Sequence, residues 1–137
     1  MGNAIWLLLV VPKWFFETIV HPFGASYLSA IPAFGIICLI IGLGFSFVYR
    51  SSKLFYFLLP FLFSEALVVC AGFFRGQVHD PNPINIPFLV AQFAFLSFLI
   101  FRLKGARLPA VFLALFSFIY ALWAAFVAAM SFTDMWL

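Results

Sequence analysis

The alternation of apolar and polar stretches divides the chain into four long hydrophobic runs and one shorter, amphipathic one. The long runs cover residues 26–49, 54–74, 84–101 and 108–130, and each is nearly free of charge. A helix crosses the hydrocarbon core with about 20 residues at 1.5 Å each, and even the run at 84–101 reaches about 27 Å. The breaks between runs are short and polar: Arg50-Ser51-Ser52-Lys53, the RGQVHDPNPIN segment from Arg75 to Asn85, and the turn from Arg102 to Arg107. So short a first link makes the first two runs an antiparallel hairpin. Pro60 predicts a kink in the second run, whereas Pro87 falls in a first turn, where a missing N–H costs little.

Residues 4–20, AIWLLLVVPKWFFETIV, begin apolar and then become amphipathic. Lys13 and Glu17 fall on one helical face with Trp6 and Trp14 nearby, and Pro12 interrupts the run. That pattern predicts an interfacial helix within residues 1–22, with a short fifth span as the other arrangement. His21-Pro22-Phe23-Gly24 predicts its end. The expected fold is an all-α integral membrane protein, a single membrane domain over 1–137. It is a four-transmembrane-helix bundle with an N-terminal interfacial amphipathic helix.

Composition removes the soluble alternatives. The chain is 67% hydrophobic and 8% charged, against about 25% charged residues in soluble domains, too little to cover a water-exposed surface. The seven basic residues are too scattered for a nucleic-acid surface, so their information is topological. Five of them, Arg50, Lys53, Arg102, Lys104 and Arg107, lie in the links 50–53 and 102–107. The positive-inside rule puts both links in the cytoplasm and the 75–85 loop outside. The expected setting is a multi-pass position in a plasma membrane of the bacterial inner-membrane type. No basic region precedes the first apolar run, so no cleaved signal peptide is expected.

The fourth long run carries a packing code. Ala110, Ala114, Ser117, Ala121, Ala124 and Ala128 recur at alternating spacings of 4 and 3, a seam of small residues that invites close helix approach. Ala125 falls one position off it, and Phe112, Phe116, Ile119 and Phe126 form the other face. The first run has a similar stripe in Gly35, Cys38, Gly42 and Ser46. Two such stripes offer more close-packing surface than one protomer needs, so a homo-oligomer or a larger membrane complex is expected in the lipid bilayer.

The candidate chemistry is a single intramembrane acid. Counted inward from the outer ends of their runs, Glu65 is nine residues deep, Gln92 eight and Tyr120 ten. A charge at the bilayer centre costs roughly 2.5–3.5 kcal/mol or more, and such groups commonly mark ion or proton pathways. No Lys or Arg lies within a long run to balance Glu65, so a neutral acid donating a hydrogen bond to Gln92 or Tyr120 is expected. The plainer reading is a polar contact that only fixes helix packing, worth about 0.6 kcal/mol. His79 and Asp80 in the outer loop suggest a pH-sensitive element, or simply a solvated turn before prolines. Cys38 and Cys70 differ in depth by about 12 Å, beyond disulfide reach.

No HExxH, GxSxG, phosphate-binding glycine loop or paired acidic motif is present, so no enzyme, metal or cofactor is expected. The plan is similar to small four-helix multidrug transporters with one buried glutamate, which carry that acid in the first span where this chain has it in the second. No family is assigned. The expected function is an oligomeric channel or carrier for a proton or small cation. The alternative is a non-catalytic accessory subunit, or an immunity protein that binds a partner in the bilayer.

Overall fold

The computed structural model describes residues 2–20, 27–50 and 52–134. The described residues form five helices and no strand: α1 (Gly2–Val20), α2 (Tyr27–Tyr49), α3 (Leu58–Phe73), α4 (Asn82–Arg102) and α5 (Arg107–Thr133). Four stretches are long and apolar enough to cross a membrane: Ala30–Tyr49, Lys53–Phe73, Asn82–Arg102 and Arg107–Thr133. They coincide with the four hydrophobic runs, as in a multi-pass membrane protein. The expected break at His21–Gly24 and the start of the first run at Ser26 lie outside the described residues.

The second run is not one α-helix. Ser52–Phe57 winds as a 3₁₀ helix and becomes α-helical only at Leu58. Pro60 has no N–H, so the Tyr56 carbonyl lacks its i→i+4 donor, and the tighter winding precedes the proline where a kink was expected.

The bundle is organised around α5, the longest helix, at 27 residues and about 40 Å. It packs against α1, α2, α3 and α4. All six members of its small-residue seam are buried within the protomer. Ala125, off the seam by spacing, is equally buried and packs with Leu67 and Ala71 of α3. On the bulky face only Phe126 is exposed, while Phe116 and Ile119 are buried in the core.

The stripe on α2 also turns inward. A Cβ on Gly35 would meet Ile119 at 3.0 Å and Phe15 at 3.2 Å, and one on Gly42 would meet the Leu113 side chain at 3.0 Å and its backbone nitrogen at 3.2 Å. Both stripes are therefore spent inside one protomer, and neither argues for an oligomer. Gly42→Ala should lower stability in detergent by about 1–3 kcal/mol, because Leu113 backbone cannot move aside. Gly44, with open space around it, should accept Ala without loss and gain some helix propensity. Equal melting shifts for the two variants would remove this close approach from the account.

α1 runs unbroken through Pro12. Its Leu7, Val11 and Phe15, spaced four apart, are buried in the same core as Val68 and Tyr120, while Trp6, Leu9 and Lys13 face outward. Lys13 and Glu17 form the expected i,i+4 pair at 3.3 Å. α2, α3 and α5 cover the face that carries Leu7, Val11 and Phe15, while Trp6, Leu9 and Phe16 remain exposed. The helix is part of the bundle.

At one end, Leu54 and Phe57 pack with Leu99, Leu103 and Ala106, which brings the two basic links together. At the other, the turn after α3 is pinned to the end of α5. Gly76 N–H and Val78 N–H donate to Ser131 and Phe132 carbonyls at 3.2 and 3.3 Å, and Arg75 Nε meets Asp134 Oδ1 at 2.6 Å. Gly76 takes φ +67°, a conformation that excludes most side chains.

Candidate functional site

Glu65 lies on the α3 face turned toward α5, and Tyr120 on the α5 face turned toward α3. The Tyr120 hydroxyl donates to Glu65 Oε1. Tyr120 is 0% exposed and Glu65 6%, so the bond is shut away from the surroundings. The Tyr120 ring is held on two sides. Phe61, one turn before Glu65, lies tilted at 4.6 Å, and Phe15 of α1 meets it edge-on at 5.1 Å. Such contacts fix the ring and so aim its hydroxyl. Of the three polar groups expected in one layer, the structure brings these two together, with Tyr120 as the donor.

Gln92 belongs to a second set. Its Nε2 donates to the Pro60 carbonyl at 2.9 Å and to Ser64 Oγ at 3.4 Å, and Ser64 Oγ donates to the same carbonyl at 3.0 Å. Ser64 and Glu65 are sequence neighbours but about 100° apart around the helix, so Ser64 meets α4 while Glu65 meets α5. No Glu65–Gln92 hydrogen bond is present among the described residues.

Asn85 is a buried polar residue that sequence reading put where the 75–85 loop overlaps the 84–101 run and did not single out. It sits in the first turn of α4, two helical turns before Gln92 and on the same face. Its Nδ2 donates to the Ala125 carbonyl at 3.0 Å. The seven-residue spacing of two amides in an apolar helix was the signal available.

Each amide nitrogen is committed to a main-chain carbonyl, which settles its orientation. The oxygens Glu65 Oε2, Gln92 Oε1 and Asn85 Oδ1 are buried without a hydrogen-bond partner, as is the donor Trp123 Nε1. Buried polar groups are rarely left unpaired, and such an oxygen can be satisfied by a donor or a cation. The α3–α4–α5 interfaces thus carry a surplus of acceptors.

The two candidates in the 75–85 loop stand apart from this. His79 and Asp80 are exposed, and Asp80 Oδ1 accepts from Asn82 N–H at 3.0 Å, a local turn that leads into α4. Among the described residues no group of three His, Cys, Asp or Glu side chains could hold a metal ion. Cys38 is buried in the core and Cys70 lies exposed on α3, and both are free thiols.

No protein-family model, curated protein or solved structure matches this chain.

Proposed function

We propose that this protein moves a proton or a small cation across a membrane, with Glu65 as the exchange site and Tyr120 as its partner. The observation that carries this reading is one buried carboxyl with Oε1 held by Tyr120 and Oε2 unpartnered. Packing alone gives no reason for an acid there, because an uncharged amide of the same size would accept the Tyr120 hydroxyl without the cost of burying a charge. An acceptor-rich interior suits a proton, a protonated amine or a bare cation. The site lies within one protomer, since the stripes that suggested self-association are used internally. Proton or cation flux into liposomes carrying the purified protein should appear with wild type and vanish with Glu65→Gln.

An accessory or immunity protein in the bilayer is the second reading. It is favoured by the closure of the pair, because Phe15 and Phe61 bracket Tyr120 and leave Glu65 almost no exposed surface. That reading needs no flux.

The proposed orientation has the basic end of the bundle in the cytoplasm. In a chain whose native cysteines are replaced by alanine, Gln77→Cys should react with a membrane-impermeant maleimide in intact cells. Gly105→Cys should react only after lysis. Both positions are exposed, so the reverse pattern would invert the orientation.

A further inference from the structure

The charges of this chain are separated along the bundle. Arg50, Lys53, Arg102, Lys104 and Arg107 gather at one end, whereas the four acids are Glu17, Glu65, Asp80 and Asp134. Glu17 pairs with Lys13, Glu65 lies mid-helix with Tyr120, Asp80 turns into the start of α4, and Asp134 meets Arg75 at the opposite end. Among the described residues, the basic end therefore carries no acidic side chain. A groove of about 410 Å³ opens there, lined by Phe98, Phe101, Arg102 and Lys104. Phe98 and Phe101 are exposed on α4, Phe101 directly before Arg102 and Phe98 one turn nearer the middle of the helix.

We propose that this groove binds an anionic phospholipid, its phosphate against Arg102 and Lys104 and an acyl chain along Phe101 and Phe98. The order of chemistry along α4 matches a lipid lying in its leaflet: cations at the helix end, where the headgroups lie, then aromatic surface deeper. Basic residues at this depth attract anionic headgroups, and a cation near the surface is worth about fivefold in binding. The aromatic floor is what separates a lipid from a free phosphate, which would use the cations alone. The inference rests on the bundle lying in a membrane and is independent of what Glu65 does.

Native mass spectrometry of the detergent-purified full chain tests it, with phosphatidylglycerol and phosphatidylcholine of identical acyl chains. Wild type should retain phosphatidylglycerol in preference to phosphatidylcholine. Arg102→Gln/Lys104→Gln should weaken phosphatidylglycerol retention by about fivefold for each cation removed. Arg50→Gln/Lys53→Gln, an equal change of net charge at the same end, should retain it nearly as wild type does. Phe98→Ala/Phe101→Ala should also lose lipid. Soluble glycerophosphate should not compete. All six positions are exposed, and melting temperatures on the same samples confirm folding. Equal loss in the two charge variants would reduce the site to general attraction. No preference between the two lipids, or full competition by glycerophosphate, would overturn it.

Discussion

Glu65→Gln is expected to leave the bundle folded and to abolish proton or cation movement. Glutamine keeps the size of the side chain, and its Oε1 can accept the Tyr120 hydroxyl as Glu65 Oε1 does. It cannot bind and release a proton. Glu65→Leu is a different change, because it strands the fully buried Tyr120 hydroxyl without an acceptor. That should cost about 1–3 kcal/mol, the usual penalty for an unpaired buried polar group. Tyr120→Phe in the same chain removes the stranded hydroxyl and should recover most of the loss, a coupling that a double-mutant cycle reads directly. Equal stability of Glu65→Gln and Glu65→Leu would mean that the bond contributes nothing to the fold.

Ala121→Leu should destabilise the protein by about 1–3 kcal/mol or prevent its folding, because overpacking forces backbone shifts. Ala121 is 0% exposed on the helix that every other helix touches. Ala125 cannot serve as the tolerant control that its position off the seam suggests, since it is 4% exposed and its carbonyl accepts from Asn85. Val111, on the exposed side of α5, is the proper control. Val111→Leu should shift stability by no more than about 0.5 kcal/mol. Thermal unfolding in detergent checks both, and equal tolerance at 121 and 111 would contradict the central place given to α5.

What was legible in the sequence was position along each helix. The four runs, the i,i+4 pair of Lys13 and Glu17 and the small-residue seams all follow from length and spacing. The similar depth of Glu65 and Tyr120 was legible too, and the structure joins them. Rotation about each helix axis, and the identity of the neighbour, were not. Ser64 and Glu65 are adjacent in the chain yet serve different interfaces, so depth alone put Gln92 beside the wrong partner. The same limit hid the part played by α1. Its amphipathic pattern fits a membrane surface and a bundle face equally well, and only tertiary contact shows Phe15 against Tyr120. Asn85 escaped because its flanking prolines and asparagines read as loop. α4 begins at Asn82, so Pro87, expected in a first turn, lies inside the helix and leaves the Pro83 carbonyl without its i→i+4 donor. That α5 organises the bundle also needed the contacts, since a row of alanines marks a close-packing face but not which helices meet it.

The central claim is that Glu65 exchanges protons or cations, and flux measures that most directly. Purified wild type and Glu65→Gln would be reconstituted at equal density in liposomes enclosing pH-, sodium- or potassium-sensitive dyes, with folding verified on the same samples. A pH gradient, then sodium and potassium gradients, would be imposed in turn. The account predicts a dye response with wild type under at least one gradient and none above empty liposomes with Glu65→Gln. Equal responses from the two proteins, or none from well-folded wild type under any of these gradients, would contradict it.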